Sequence, residues 1–515
     1  MNQNVLEQLY ITGNYPSLLE EITNLAYNQP STKLTDIEKA ICLFYHSRTL
    51  IRLGDVNDAE NLIKKFANVN FNEFFISSLI NQISILNLQV TQCKTKEVIE
   101  NGKKAIQMIE QRNQDLSNYP QIQSFWNPFL HYYTGMAYFY QFKNDLARIY
   151  LSKSLEKNQT NLLIKAKCLY YMAFLHLEKG DTSQFFSLLD DSIEIYRTID
   201  AKQGIAWVEA WQGQFFLQRG DFEKANAKFS QALILFKAIN DSQGLNLVNS
   251  LIGLMYYQQG KLEQAKAILE KAFDSSIEIG NPMILSYCVI PLVLLYIESG
   301  NHLKAKKCIN ELKDVCKEST SDRVKVHRLI TEAIFLKSSS RFSDKAQAQN
   351  ILLELLDEDS EEHPHGSYVW LSSDKSFSYL VITHLAELYL EEFKLSEDNM
   401  IMLEVRKLID HQIQKLDDQK FSPELVELSF LKAKLLLVEG DIEEAINILE
   451  KARKIAETNN FRRMKEKIDS EVTRIDREFK KWDAAAISVR DRIKQVQIDE
   501  YLKEVQKMIT LHHQG

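Results

Sequence analysis

The sequence is poor in the residues that interrupt regular secondary structure. Only 16 of its 515 residues are glycine and 8 are proline, which leaves little room for a turn-rich β protein or for long disordered linkers. No apolar run approaches the roughly 18 residues that a membrane-spanning helix needs. The opening MNQNVLEQLY lacks the basic and apolar regions of a signal peptide. We therefore expect a helical cytoplasmic protein with no membrane partner.

The sequence also lacks the short motifs that carry catalysis or cofactor binding. It contains no G-x-S-x-G, H-E-x-x-H, C-x-x-C or strand-linked G-x-G-x-x-G. Its six cysteines are scattered and mostly lie in apolar helical segments, which predicts buried reduced thiols. A net charge of −8 disfavours a nucleic-acid partner, because phosphate backbones select basic surfaces. We therefore expect no enzyme, no cofactor and no bound metal.

The chain does have a period. Gly180, Gly220, Gly260 and Gly300 are spaced by 40 residues, and each follows about twenty residues of helical pattern. Glycine ends a helix at little conformational cost because it tolerates positive φ. A fixed period of this length predicts stacked helical hairpins, since a single hairpin cannot bury its own apolar face.

The clearest unit runs from about residue 245 to residue 274. Its first helix carries Gly253 and Tyr256, and its second helix carries Ala265 and Leu269 at helical spacing. The small residues predict a close approach of the two helices, with Leu269 and Tyr256 filling the space around the crossing. Other units repeat the same pattern at Gly135, Ala147 and Leu151, at Gly213, Ala225 and Phe229, and at Ala433, Ala445 and Leu449.

An acidic or amide residue follows several turn glycines. Such a side chain can accept hydrogen bonds from the free N–H groups at the start of the second helix. The sequence therefore predicts N-caps rather than catalytic acids at Asn14, Asp55, Asp181, Asp221, Asn301 and Asp441.

This spacing of small, aromatic and bulky residues resembles the tetratricopeptide repeat. The 40-residue period, with further glycines at Gly204 and Gly244, is similar to the long-period subclass of Leu-Gly-Asn-type spindle adaptors, kinesin light chains and bacterial peptide-sensing regulators. The resemblance implies an all-α, right-handed superhelical solenoid of about eleven antiparallel hairpins with a C-terminal capping helix. It implies binding of a peptide or helix in a concave groove rather than chemistry.

The groove positions depart from those of the adaptor subclass. The asparagine that holds a peptide backbone in those adaptors is absent, and mainly aromatic residues take its place. Aromatic side chains are typical interface anchors, although packing between repeats is the alternative for each ring. The predicted partner-binding residues are Phe129, Tyr133, Tyr171, Trp207 and Trp211.

The period breaks at two places. An acidic stretch with Pro364 and Gly366 predicts a loop insertion at 357–375, between an array at 1–356 and further hairpins at 376–457. A charged segment at 458–515 lacks turn glycines and predicts capping helices, with self-association through a coiled coil as the alternative.

Two functions follow from this organisation. The first is a non-enzymatic scaffold or adaptor that binds a partner peptide or amphipathic helix in the groove. The alternative is a ligand- or peptide-sensing regulator that acts on a separate effector. An RNA-binding helical-repeat protein is disfavoured by the acidic composition.

Overall fold

The computed structural model describes fourteen stretches of the chain. They are residues 3–25, 34–67, 74–112, 120–158, 160–179, 181–218, 221–259, 261–356, 375–396, 399–417, 423–458, 462–475, 491–492 and 496–498. Within these stretches all regular secondary structure is helical and no strand forms, so the predicted all-α class is confirmed.

Twenty-three α-helices form in the described residues. The first ten are α1 (Gln3–Ile11), α2 (Tyr15–Thr23), α3 (Asp36–Leu53), α4 (Val56–Ala67), α5 (Phe74–Thr91), α6 (Thr95–Gln111), α7 (Asn127–Tyr140), α8 (Asn144–Lys157), α9 (Leu162–Glu178) and α10 (Thr182–Thr198). A five-residue π-helix, Ile122–Trp126, leads directly into α7.

The remaining helices continue the alternation. They are α11 (Lys202–Gln218), α12 (Phe222–Ala238), α13 (Ser242–Gln258), α14 (Leu262–Ile279), α15 (Pro282–Glu298), α16 (His302–Val315), α17 (Asp322–Lys337), α18 (Phe342–Leu356), α19 (Lys375–Ser396), α20 (Asn399–Asp417), α21 (Pro423–Glu439), α22 (Ile442–Thr458) and α23 (Arg462–Arg474). Read in order, α1–α22 give the eleven predicted helix pairs, and α23 follows them.

The helix crossing predicted from the repeat pattern is present. A Cβ atom on Gly253 of α13 would lie 2.6 Å from Cγ of Leu269 on α14, and Ala265 and Leu269 are fully buried. Gly213 stands in the same relation to Phe229, with a Cβ-to-ring distance of 2.7 Å. The two helices touch because one of them presents only backbone at the crossing.

The turns also follow the sequence pattern where they are described. Gly300 has a φ of +70°, and the equivalent Gly54 and Gly440 have φ values of +100° and +95°; Gly180, Gly220 and Gly260 lie outside the described residues. Four of the predicted N-caps accept a hydrogen bond from the backbone N–H three residues later, namely Asn14, Asp181, Asn301 and Asp441.

The chain divides into two compact units. Unit 1 comprises Met1–Leu177, Asp181–Gln214 and Glu223–Thr331, and unit 2 comprises Glu178–Gly180, Phe215–Phe222 and Glu332–Gly515.

Within unit 1, hydrogen bonds join its last hairpins to its first. Nε2 of Gln243 donates to the Ile51 carbonyl at 2.8 Å, and the Thr320 N–H donates to the Cys93 carbonyl at 3.0 Å. Nε of Arg323 donates to the carbonyl of Phe139 at 3.2 Å. A linear array in which each hairpin contacts only its neighbours therefore does not describe unit 1, which closes on itself.

The C-terminal part of the predicted architecture is described only in places. Helix α23 packs against α22, and Ile468 on it is buried. Most of the rest of 458–515 lies outside the described residues, as does the predicted acidic insertion apart from Lys375, where α19 begins. None of the described helices is long and apolar enough to cross a membrane.

Candidate functional site

The five predicted partner-binding residues all lie on first helices of hairpins in unit 1. Phe129 and Tyr133 are one turn apart on α7 and are buried, with exposed fractions of 1% and 3%. Tyr171 on α9 is also buried, whereas Trp207 and Trp211, one turn apart on α11, are half-buried. The two tryptophans thus leave ring surface uncovered, while the other three rings pack in the interior.

Four of the five rings, all except Trp207, belong to a continuous series through the interior of unit 1, which we call the aromatic row. Neighbouring ring centroids lie between 5.1 and 6.3 Å apart, except for one step of 6.4 Å, distances at which aromatic rings attract each other. In order, the row contains Phe44, Phe129, Tyr133, Tyr132, Tyr171, Phe139, Phe174, Trp211, Tyr287 and His327.

Polar atoms of the buried rings have partners within the row or beside it. The Tyr133 hydroxyl donates to Oδ1 of Asn87 at 2.9 Å, and the Tyr171 and Tyr140 hydroxyls lie 3.3 Å apart. Burial raises the pKa of Tyr133 to about 12, although the nearby charge of Arg48 acts in the opposite direction. These phenols are neutral hydrogen-bonding groups at ordinary pH and offer no general base.

The two tryptophans differ from the three buried rings. Trp207 packs edge-on against Phe236 at 5.5 Å, and Trp211 packs against Phe174 at 5.3 Å. Nε1 of Trp211 is buried and has no hydrogen-bond acceptor among the described residues. The two tryptophans therefore present partly open ring surface, while the indole N–H of Trp211, which is a donor only, lies beneath that surface.

Sequence analysis missed a group of cations that lies beside the buried end of the row. Arg48 on α3 is 2% exposed, and its guanidinium carbon lies 4.3 Å from the ring centroid of Tyr10 and 4.8 Å from that of Phe44. Nζ of Lys167 on α9 lies 5.8 Å from the ring centroid of Tyr132. These are cation–π distances.

The position of Lys167 on an inner helix face could have been predicted from the 40-residue period. The same position in successive units is occupied by Lys167, Trp207, Leu247, Tyr287 and His327. Four of these residues are aromatic or aliphatic, and the lysine stands out as the one flexible cation. Its place on the inner face could therefore have been predicted from the residues that surround it in the register.

The described residues contain no group of three or more His, Cys, Asp or Glu side chains that could hold a metal ion. None of the six cysteines, all of which lie in described residues, forms a disulfide, and five of them are buried. Burial raises the pKa of the Cys168 thiol to about 12, which disfavours the reactive thiolate.

Comparison with known proteins supports the repeat assignment. A family model of the tetratricopeptide repeat matches residues 248–276, the segment that contains the Gly253–Leu269 crossing. A search of functionally curated proteins gives no match.

Three of the solved structures to which the chain is similar are the following. A Rap protein complexed with Competence and Sporulation Factor is 15% identical, with a TM-score of 0.48, over 74% of this chain and 99% of that chain. Aspartyl phosphate phosphatase F from Bacillus subtilis is 14% identical, with a TM-score of 0.41, over 73% and 95%. Yeast Tom70 is 15% identical, with a TM-score of 0.36, over 87% and 88%. Similarities this low carry no argument about what the chain binds.

The family assignment therefore depends on the matched segment and on the pattern around it. The crossing of a small residue with a bulky one recurs in the hairpin before the matched segment, at Gly213 and Phe229. The turn glycines with positive φ recur on both sides of it. Residues 248–276 match the tetratricopeptide repeat, and membership in the 40-residue subclass stays a prediction.

Proposed function

We propose that the chain is a non-enzymatic interaction protein that binds a peptide segment of a partner protein at Trp207 and Trp211, in the interior of unit 1. The observation that carries this proposal is the contrast among the five predicted residues. Phe129, Tyr133 and Tyr171 are buried by rings of the aromatic row, whereas the two indoles remain half-buried. A half-buried tryptophan is the kind of residue that anchors an interface.

The packing of the row also bears on where a ligand can lie. The rings of Phe44 and Phe129 pack against each other, with centroids 5.3 Å apart, so they leave no ring face open between them. We therefore propose a peptide whose apolar side chains contact the open ring surface of Trp207 and Trp211.

Selection of a random peptide library displayed on phage against the full-length chain tests this proposal. Peptides enriched on the wild-type chain should bind Trp207→Ala and Trp211→Ala about thirtyfold more weakly each, because truncation of a buried aromatic anchor costs about 2 kcal/mol. Isothermal titration calorimetry with the synthetic peptides gives the dissociation constants.

Two exposed apolar residues of unit 1 supply matched controls. Ile234 on α12 is 67% exposed and Leu303 on α16 is 85% exposed, so Ile234→Ala and Leu303→Ala remove apolar surface outside the aromatic row. Affinity should be unchanged in both variants. Selected peptides that lose affinity in these controls and keep it in the tryptophan variants would move the binding site to the outer surface.

Closure of unit 1 favours a second function, a regulator that changes conformation on binding a peptide. The bonds from Gln243 to Ile51 and from Thr320 to Cys93 restrict access to the interior, so a ligand that reaches it has to displace or strengthen them. In a sensor, peptide binding should change the hydrogen-exchange rate of the Thr320 N–H, which exchanges only when its bond to Cys93 opens. An unchanged exchange rate at saturating peptide would rule out the regulator and leave the adaptor as the proposed function.

A further inference from the structure

A buried arginine in unit 1 has no hydrogen-bond acceptor on one edge. Arg48 is 2% exposed, and its guanidinium faces the rings of Tyr10, Phe44 and Phe129, with the third ring centroid at 5.4 Å. Its Nε and Nη2 atoms are both buried and have no acceptor among the described residues. These two nitrogens form one edge of the planar guanidinium, the edge that binds two oxygens side-on.

A second buried arginine of the same unit shows how the chain satisfies such a group elsewhere. Arg323 also lies against two aromatic rings, those of Phe139 and Phe142, each at 4.3 Å. Its Nε donates to the Phe139 carbonyl at 3.2 Å. Both arginines are therefore stacked on ring faces, but only Arg323 has a backbone acceptor on its edge, and the stacking at Arg48 leaves its edge donors unsatisfied.

The surroundings of Arg48 are rich in positive charge. Arg52 lies one turn further along α3, and its Nε also lacks an acceptor among the described residues. Burial lowers the pKa of Lys167 well below its usual range, and the charges of Arg48 and Arg52 lower it further. Arg48 and Arg52 thus both act on Lys167 within the interior of unit 1.

The nearby carboxylates leave the edge donors of Arg48 unpaired among the described residues. The charge of Asp241 attracts Arg52 and Lys167, but both of its oxygens accept hydrogen bonds from elsewhere, one from the N–H of Gly244 at 2.9 Å and the other from Nε2 of Gln203 at 2.7 Å. Burial raises the pKa of Glu7 to about 7, against the attraction of Arg48, so this carboxyl is only partly ionised near neutral pH. Buried cations without a paired anion are unfavourable, and an anion with two free oxygens would relieve that.

We propose that the interior of unit 1 binds a small oxyanion, a carboxylate or phosphate group, which accepts two hydrogen bonds from Nε and Nη2 of Arg48 beside Arg52 and Lys167. Arg48 has almost no exposed surface, so we propose a small molecule rather than a protein segment as the ligand. This goes beyond the proposed peptide function and does not depend on it.

Thermal melts of the full-length chain in Tris chloride test the site with three probes at one fixed ionic strength: inorganic phosphate, succinate and acetate. We expect a saturable rise in Tm, because a ligand that binds only the folded state stabilises it. A response to phosphate alone identifies a phosphate-bearing ligand, and a response to succinate or acetate identifies a carboxylate. No saturable rise with any of the three probes overturns the proposal.

Three variants separate this site from general salt effects. Arg48→Met should weaken binding of the active probe by about tenfold or more, since it removes two charge-assisted hydrogen bonds. Arg48→Lys keeps the charge but loses the two parallel donors of the guanidinium, so it should weaken binding nearly as much. This variant serves as the test if Arg48→Met does not fold. Arg323→Met is the matched control and should leave the probe affinity unchanged. Equal affinity in wild type and in the folded Arg48 variants would show that the anion binds elsewhere and would overturn the proposal.

Discussion

The interiors of the two units accommodate buried cations in different ways. In unit 2, Lys434 is 4% exposed, and its Nζ contacts Oε1 of Glu471 at 3.2 Å and the carbonyl of Val496 at 2.9 Å. Lys337 of the same unit contacts the carboxylate of Glu387 and Nδ1 of His384. In unit 1, Arg48 lies among aromatic rings instead, and no carboxylate of the described residues accepts a hydrogen bond from its Nε or Nη2.

The difference shows what each arrangement leaves open. A carboxylate satisfies both the charge and the hydrogen-bond donors of a lysine, so the pairs of unit 2 are complete within the chain. Ring faces attract a cation, but they accept nothing from the edge of a guanidinium. In unit 2, the ion pairs of Lys434 and Lys337 are therefore costly to break. In unit 1, the guanidinium of Arg48 has donors that no described residue pairs with and that a ligand can use.

The largest expected effect comes from breaking a pair of unit 2. Glu471→Leu removes the partner of Lys434 and also an acceptor of Arg474. It should destabilise unit 2 by about 3–5 kcal/mol, because a buried charge is left without a partner. Urea unfolding, followed by hydrogen exchange of the α21 and α23 amides, measures the loss.

Two variants complete that experiment. Glu457→Gln removes an exposed partner of Lys465 and should leave the unfolding midpoint of unit 2 unchanged. Arg48→Met breaks no ion pair in unit 1 and should cost much less than Glu471→Leu. If Arg48→Met lowered the free energy of unfolding more than Glu471→Leu, the stacked arginine of unit 1 would contribute more to stability than the ion pair of unit 2, which would contradict this prediction.

A smaller loss of folding stability is expected from enlarging the small residue at a helix crossing. The crossing in unit 1 uses Gly253 against Leu269, whereas the equivalent position in unit 2 is Ala433 against Leu449, both buried. Gly253→Ala should destabilise unit 1 by about 1–3 kcal/mol, because its Cβ would meet Leu269 Cγ at 2.6 Å. Thermal unfolding monitored by circular dichroism checks this.

A double variant tests the cause of that loss. Leu269→Ala removes the atoms that the new Cβ would meet, so Gly253→Ala should cost less in the Leu269→Ala background than in the wild type. Strictly additive losses would mean that the helices do not cross at these residues.

The smallest expected effect is a sensitivity of unit 1 to acid. His131 on α7 is 1% exposed, and neither ring nitrogen has a hydrogen-bond partner among the described residues. Burial, with the charges of Lys157 and Lys153, lowers its pKa to about 4. Since the unfolded chain takes up this proton near pH 6.5 and the folded chain near pH 4, stability falls as the pH is lowered through this window.

The size of this effect follows from the two pKa values. Between pH 7 and pH 5.5, His131 should account for about 1 kcal/mol of lost stability. The variant His131→Leu should show a correspondingly flatter dependence of unfolding free energy on pH. An identical dependence in the variant and the wild type would show that His131 does not titrate in this way.

The parts of the fold that could be predicted are local in sequence. The Gly253–Leu269 crossing joins residues sixteen apart by their numbers, and the Asp181 cap reaches only to Gln184. Helical periodicity and turn chemistry determine such contacts, so they follow from the residues alone. The eleven helix pairs follow for the same reason.

The closure of unit 1 could not be predicted in this way. A repeat pattern specifies how each hairpin meets the next, but small rotations accumulate over many hairpins before Thr320 meets Cys93. Arg48 shows the same limit. The equivalent residues of later units, Phe174, Gln214 and Leu254, identify it as an unusual cation, but only the closed structure shows that it is buried among rings.

The bond between Thr320 and the first hairpins has a consequence for synthesis of the chain. The hydroxyl of Thr95 donates to the Thr320 carbonyl across 225 residues of sequence. At 5–20 residues per second on the ribosome, the early hairpins wait roughly 10 to 45 seconds for this partner to be made. During that interval their inner rings, including Phe44 and Phe129, are without the later hairpins that close unit 1, which makes the nascent chain a natural client for chaperones that shield apolar surface.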